Sequence, residues 1–320
     1  IISTGLRTDI INHYSEWLFE RFREGYVLAR NPLFPNKVTR YLLSPDTVDA
    51  VTFCSKNYTP ALHRLHEITD RFRSYFHVTV TAYGKDFEPN IPMEEDRITM
   101  LCALSRLVGK ERVVWRFSPV FFTEDYPMER VTDTFQRLAD RIAPYVHLCV
   151  FSFLEPFFSM RTRCPQIQPS TNEQKAAFAR TIAKTARHYN LPLQTCGSLN
   201  TCTEFGTVSA GCYTLDAIGK ANHCTFRSMR HDGNKRGCLC IQSRDLGWYN
   251  SCPNLCFYCN ANASVGETKK NIRMHDPHSP LLIGSILPED EISDASQQSY
   301  LRDERQISSL ISENCGGASV

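Results

Sequence analysis

The feature that most constrains the fold is a repeated alternation of short apolar segments with longer segments of helical periodicity. In 94–108 and 128–142, for example, apolar residues recur every three or four positions, as on one face of a helix. The short segments have the composition of buried strands, and they are 1–5, 50–54, 76–82, 112–117, 147–153 and 191–196. Repeated strand-then-helix units predict a parallel sheet.

The number of units favours a barrel. Segments 26–43 and 238–243 are candidates for two further strands. Around eight units in about 270 residues fit a TIM-like (β/α) barrel, whole or partial, better than an open doubly wound sheet. No Gly-rich fingerprint follows the first strand, which argues against a dinucleotide-binding fold. We therefore predict an α/β fold with barrel units in 1–196, a cysteine-rich metal-binding region that completes the barrel in 197–275, and a C-terminal surface tail in 276–320.

Composition narrows the function classes. The net charge of +2 gives no argument for a nucleic-acid partner. No apolar run reaches the roughly 18 residues of a membrane span, and the first residues do not form a signal peptide. We expect a cytoplasmic protein without a membrane partner. In that setting, 14 cysteines favour metal or redox chemistry over disulfides.

Three cysteines lie close together in one loop. Cys252, Cys256 and Cys259 have the spacing C-x3-C-x2-C. A closed structural metal site has four protein ligands, so three thiols leave one position open for chemistry. We predict an iron–sulfur cluster with one iron free to bind a ligand. The alternative is a zinc site with a fourth ligand such as Cys240 or His275.

Four more cysteines form a candidate second metal site. Four thiolates hold either a [4Fe-4S] cluster or a structural zinc ion. Alternatively, these residues are free thiols in an irregular region, or Cys202 or Cys224 replaces one of them. The predicted set is Cys196, Cys212, Cys238 and Cys240.

Polar residues at the ends of predicted strands are candidates for a substrate site, because strand ends converge at the mouth of a barrel. We select Lys56, Tyr83 and Arg116 as catalytic candidates. Arg116 follows Trp115 in an apolar strand and therefore needs a partner or an anionic ligand. Lys56 and Arg116 together suit a carboxylate or phosphate, so we expect an anionic substrate. The alternative for each residue is a structural ion pair or hydrogen bond.

The C-x3-C-x2-C spacing resembles the radical S-adenosylmethionine superfamily, in which an aromatic residue such as Tyr258 usually precedes the third cysteine. The resemblance implies that the three thiolates hold a [4Fe-4S] cluster whose free iron chelates the amino and carboxylate groups of S-adenosylmethionine. It also implies an electron donor such as flavodoxin or ferredoxin.

Nearly the whole chain is similar to a bacterial family described as domain of unknown function 1848, which has a cysteine cluster of this kind near its C-terminus. One departure is Asn260, where we expect Tyr. The matching segments are Arg7-Thr8-Asp9-Ile10, 25–32, 55–57, 83–86, Trp115-Arg116, Thr195-Cys196, Cys238-x-Cys240 and Asp245-x-Gly247-x-Tyr249-Asn250.

Radical enzymes of this type carry their cysteines after the first barrel strand, whereas here the cysteines lie near the end of the chain. A circular permutation explains this position: strand 239–244, the cysteine loop and a helix at 263–273 form the first unit, and 1–5 is the second strand. The resemblance then implies a cofactor-binding role for Ser3 and Tyr258, with Asp9 binding the ammonium and Arg7 the carboxylate of S-adenosylmethionine. Alternatively, or in addition, Asp9 caps the first helix.

We therefore predict an enzyme that cleaves S-adenosylmethionine reductively to start radical chemistry on an unknown substrate. One alternative is a non-catalytic protein in which zinc or iron–sulfur centres stabilise the C-terminal region. Another is a nucleic-acid repair or modification enzyme, for which the charge gives no support.

Overall fold

A computed structural model describes residues 1–155, 158–195, 200–231 and 238–302. The strands in these ranges are β1 Ile2–Ser3, β2 Tyr26–Arg30, β3 Lys37–Leu42, β4 Val51–Ser55, β5 Ser74–Thr79, β6 Val113–Val120, β7 Leu148–Phe153, β8 Leu193–Thr195, β9 Val208–Ser209, β10 Arg244–Asp245 and β11 Glu291–Asp294. The α-helices are α1 Ile10–His13, α2 Ser15–Glu24, α3 His66–Thr69, α4 Glu94–Val108, α5 Met128–Ile142, α6 Phe158–Arg163, α7 Asn172–His188, α8 Asn200–Thr203, α9 Leu215–Ala221 and α10 Val265–Arg273.

The main sheet has eight strands in the order β10-β1-β4-β5-β6-β7-β8-β9. Every neighbouring pair in it is parallel. On β1, Ile2 is in register with Arg244 on one side and with Val51 on the other. The carboxyl ends of all these strands therefore lie along one edge of the sheet.

The predicted parallel sheet is confirmed, and each of the six predicted strand segments contributes a strand to it. The segment 26–43 does not join it: β2 and β3 form an antiparallel hairpin, and β3 also pairs with β11 in a separate three-stranded sheet. The strand β9 was not predicted, because two residues are too short to show a periodicity.

Both faces of the main sheet are covered by apolar residues. One face packs against helices, and residues such as Leu101 and Phe135 form the core there. On α5, the buried residues recur at helical spacing, as the sequence predicts. A second core on the other face includes Cys54, Tyr75 and Tyr213. Burial of both faces is typical of parallel sheets.

Part of the chain after residue 276 packs against α2. Trp17 Nε1 donates a hydrogen bond to the carbonyl oxygen of Ser279 at 2.8 Å. Leu281 and Leu282 are buried. None of the helices in the described ranges has the length and apolar composition needed to cross a membrane.

Candidate metal and cofactor site

The cysteine loop, residues 247–262, directly follows β10 and is closed by its own hydrogen bonds. The Asn250 backbone N–H donates to the Ala261 carbonyl oxygen at 2.8 Å. The Asn262 side chain accepts from the Cys252 N–H at 3.3 Å and donates to the Cys252 carbonyl oxygen at 2.6 Å. Leu255 has a positive φ of 51°, an uncommon conformation for a residue with a side chain. These constraints fix the path of the backbone between Cys252 and Cys259.

The segment after β1 holds one side of the cysteine loop. Thr8 Oγ1 donates to the Trp248 carbonyl oxygen at 2.7 Å and also hydrogen-bonds the Ser251 hydroxyl. The Tyr14 hydroxyl donates to the Ser251 carbonyl oxygen at 2.5 Å. The loop is therefore fixed to the end of the strand that neighbours β10 in the sheet.

Asp9 connects this segment to the loop and to β4. Its Oδ2 accepts hydrogen bonds from Asn254 Nδ2 at 2.9 Å and from the Lys56 backbone N–H at 3.0 Å. Its Oδ1 accepts from the Asn12 backbone N–H at 3.4 Å and so caps α1. The capping alternative is thus present, and Asp9 also lines the cavity described below.

The segment after β5 holds the other side of the loop. The Phe257 backbone N–H donates to the Phe87 carbonyl oxygen at 3.0 Å. Asn90 Nδ2 donates to the Pro253 carbonyl oxygen at 2.8 Å. The Tyr258 hydroxyl donates to Glu88 Oε1.

Glu88 is a buried carboxylate, with 1% of its surface exposed. Its Oε1 also accepts from Lys56 Nζ at 2.8 Å and from Thr81 Oγ1 at 2.6 Å, and Arg97 Nη1 lies 3.5 Å from its Oε2. Burial alone would raise the Glu88 pKa, but the charges of Lys56 and Arg97 outweigh burial and the pKa is lowered. Glu88 is therefore an anion that neutralises much of the Lys56 charge.

The loop, the end of β1 and the ends of β4 to β7 enclose one cavity of about 240 Å³. The cavity brings together most of the residues predicted for the site. The predicted residues that line it are Arg7, Asp9, Lys56, Arg116, Cys252, Cys256, Tyr258 and Cys259.

The thiols in this cavity are largely buried. Burial raises the pKa of Cys256 to about 12, and it also raises the pKa of Cys252. Both thiols are therefore protonated at neutral pH in the absence of a metal. Because metals bind thiolates, occupation of this site would release protons.

Two predicted residues lie outside the cavity. Tyr83 is in the aromatic core: its hydroxyl donates to the Phe121 carbonyl oxygen at 2.9 Å and accepts from the Phe121 N–H at 2.7 Å. Ser3 lies within β1, below the residues that reach the cavity. We therefore place neither Tyr83 nor Ser3 in the site.

Two arginines line the cavity. Arg116, in register with Thr79 on β5, has Nη1 3.8 Å from Cys54 Sγ. Arg7 Nη1 lies 3.5 Å from Asp245 Oδ2, and the Arg7 guanidinium lies 5.2 Å from the centre of the Tyr249 ring. Both guanidinium groups belong to the cavity lining.

All residues that line this cavity except Asn262 fall within one family model, described as domain of unknown function (DUF1848), which matches residues 1–261. The chain belongs to this family. The DUF1848 match contains all three cysteines of the loop and ends before α10. No curated protein and no solved structure matches the chain.

The second predicted cysteine set in this DUF1848 chain is partly brought together. The Cys212 backbone N–H lies 3.1 Å from Cys240 Sγ, and the Cys240 N–H lies 3.5 Å from Cys238 Sγ. Cys196 lies outside the described residues. Among the residues that the structure describes, no group of three or more His, Cys, Asp and Glu side chains is arranged to hold a metal ion, and this finding includes the three thiols of the cysteine loop.

Sequence reasoning missed Glu88 and Asn254, although they hold the cysteine loop in place. Glu88 is in a polar segment, Lys85-Asp86-Phe87-Glu88-Pro89, that has the composition of a surface turn. Asn254 lies between Cys252 and Cys256. This position inside the motif was the signal in the sequence that could have indicated a role in the site.

Proposed function

We propose that this chain is a radical S-adenosylmethionine-type enzyme that holds a [4Fe-4S] cluster on Cys252, Cys256 and Cys259. The observation that carries the proposal is the shared cavity: three thiols of one loop face the carboxyl ends of parallel strands, where barrel enzymes place their active sites. Asp9, Lys56 and Arg116 line the same space and supply polar groups for a cofactor and a substrate.

The donor set suits a cluster. Iron–sulfur clusters are held by cysteine thiolates, and each thiolate binds a different iron. The ligands therefore surround a volume, whereas the ligands of a zinc ion converge on a point at about 2.3 Å from each sulfur. Three thiols leave one iron of four without a protein ligand. When bound, the cluster supplies the electron that cleaves a carbon–sulfur bond of S-adenosylmethionine.

The residues of the chain then bind and orient the cofactor. The Asp9 carboxylate, fixed by the Asn254 amide and the Lys56 N–H, is placed to accept the cofactor ammonium. Arg7, held beside Asp245 and Tyr249, would bind its carboxylate. Tyr258 forms part of the cavity wall and excludes water from one side. Arg116 lines the same cavity and would contact an anionic substrate there.

Two observations support a closed and permuted barrel. First, β10 pairs with β1, so the cysteine loop and Asp9 follow neighbouring strands, as the permutation requires. Second, the segments next to the two edge strands contact each other: the Ile241 N–H donates to the Tyr213 carbonyl oxygen at 3.2 Å. Tyr213 also belongs to the core on the sheet face opposite the helices. We propose that this core is the interior of the barrel.

Metal analysis after purification without oxygen tests the binding part of the proposal. We expect iron and sulfide in the wild-type protein and a loss of iron in Cys256→Ala. The matched control is Cys149→Ala, which removes a buried cysteine from β7 and should leave iron content unchanged. Zinc in place of iron would favour the non-catalytic alternative.

A further inference from the structure

Glu88 and Lys56 form a buried pair of opposite charges beside the cysteine loop. Lys56 Nζ lies 2.8 Å from Glu88 Oε1, and their side chains are 11% and 1% exposed. The same Glu88 oxygen accepts from the Tyr258 hydroxyl, so the pair contacts the residue between Cys256 and Cys259. Lys56 Nζ also lies 5.9 Å from the centre of the Tyr258 ring.

Both charges lie close to the cysteine loop. Lys56, Cys256 and Tyr258 line the same cavity, and Glu88 is hydrogen-bonded to the Tyr258 hydroxyl two positions after Cys256. In a buried site, charges interact more strongly than in water because the effective dielectric constant is lower. A change in the charge of an iron bound to Cys256 would therefore change its electrostatic interaction with both Lys56 and Glu88.

We propose that Glu88 and Lys56 are positioning residues that set the reduction potential of the cluster held by the cysteine loop. This inference rests on the proposed function. Reduction adds one electron, and hence one negative charge, to the cluster without forming or breaking a bond. A nearby anion disfavours that change and a nearby cation favours it, since cluster potentials depend on surrounding charge and hydrogen bonds. Glu88 thus lowers the potential and Lys56 raises it.

Two charge-removing variants with opposite expected shifts test this proposal. The midpoint potential is measured by dithionite titration followed by electron paramagnetic resonance. Glu88→Gln should shift the midpoint to a more positive value, and Lys56→Gln to a more negative value. The double variant should fall between the single variants. A purely structural role predicts shifts of one common sign, because both variants loosen the same loop.

The control variant is Glu95→Gln, which removes a carboxylate paired with Arg141 on the exposed side of α4 and should leave the midpoint unchanged. Thermal unfolding checks that each variant is folded. If Glu88→Gln does not fold, a more negative midpoint potential in Lys56→Gln supports the proposal, and a more positive one contradicts it. Shifts of the same sign, or none, in a protein that binds iron and cleaves S-adenosylmethionine would overturn this inference alone. A wild-type protein without iron would overturn the proposed function as well.

Discussion

The amide of Asn254 donates a hydrogen bond to the carboxylate of Asp9 over 2.9 Å, although the two residues are 245 positions apart in the chain. The bond joins the cysteine loop after β10 to the N-cap of α1 after β1. These two strands are neighbours in the sheet, so two segments that lie far apart in the chain form one site. The contact makes the loop geometry depend on the first ten residues.

Asn254→Ala tests how far this contact holds the loop. The variant removes the donor to Asp9 and leaves Asn12 Nδ2 and His13 Nε2 without the Asn254 oxygen that lies 3.1 and 2.6 Å from them. We expect a loss of about 1–3 kcal/mol in the free energy of unfolding, because these groups are partly or fully buried. Asn90→Ala is the matched control: it also removes an amide donor to the loop, but from an exposed residue, and should cost much less. Equal losses in urea denaturation of the two variants would contradict the prediction.

Tyr258→Phe tests the bond to Glu88 in the protein without metal. The substitution removes one donor from a buried, charged carboxylate, and such hydrogen bonds contribute about 1.5–3 kcal/mol. We expect a loss of this size in chemical denaturation. Tyr249→Phe, which changes an exposed tyrosine of the same loop and keeps the ring under Arg7, should be close to neutral. A neutral Tyr258→Phe would show that the Glu88 bond does not stabilise the loop.

Asp245 predicts a pH dependence of stability. Burial raises its pKa from 3.8 to about 6, although Arg7 and backbone N–H groups oppose the shift. A carboxyl group with a raised pKa in the folded state contributes stability that is complete below pH 3.8 and is lost as the pH rises through about 6. This rise in the Asp245 pKa corresponds to about 3 kcal/mol of folding free energy. Asp245→Asn should remove this contribution.

The measurement is the difference in unfolding free energy between the wild type and Asp245→Asn at several pH values between 4 and 7. We expect the wild type to lose stability relative to the variant as the pH rises. Asp140→Asn, which changes an exposed carboxylate bonded to the Tyr189 hydroxyl, serves as the control. A difference that does not change with pH would show that Asp245 titrates normally.

Gly5 marks a close approach between β1 and β4. A Cβ atom at this position would lie 2.0 Å from the carbonyl oxygen of Cys54, a backbone atom that cannot move aside cheaply. We expect Gly5→Ala to destabilise the protein by about 2 kcal/mol or more, through overpacking. Gly266→Ala, in α10, meets only the Ser264 hydroxyl at 3.8 Å. Because alanine favours helices, this control should be neutral or stabilising by up to about 1 kcal/mol. Similar melting temperatures for the two variants would contradict the packing at Gly5.

The parallel sheet was predictable because its signal is carried by many residues. Strands such as β4 and β7 are buried throughout and mostly apolar, and α4 and α5 begin and end at the residues that their periodicity indicates. The strand β9 was not predictable, because its two residues are held by pairing with β8 and carry no pattern of their own. The hairpin of β2 and β3 was recognisable as extended structure, but its separation from the main sheet depends on β11, far along the chain.

Residues of the candidate site were predictable from the sequence where only a few residue types can carry out the expected chemistry. Three closely spaced thiols, Asp9 and Arg116 were candidates because few residue types serve in metal or ion binding, and the structure brings them to one cavity. Tyr83 lies outside that cavity, because a strand-end tyrosine also fits a core, where the Phe121 backbone satisfies its hydroxyl. Glu88 was missed because its burial depends on Lys56 and Arg97, which approach it only in the fold.

The release of 5′-deoxyadenosine tests the central claim most directly. The protein is purified without oxygen, its iron and sulfide are counted, and dithionite and S-adenosylmethionine are added. We predict about four or more irons per chain and the formation of 5′-deoxyadenosine, with no product from Cys256→Ala. A wild-type protein that contains zinc alone, or that holds a cluster and forms no 5′-deoxyadenosine, would contradict the account.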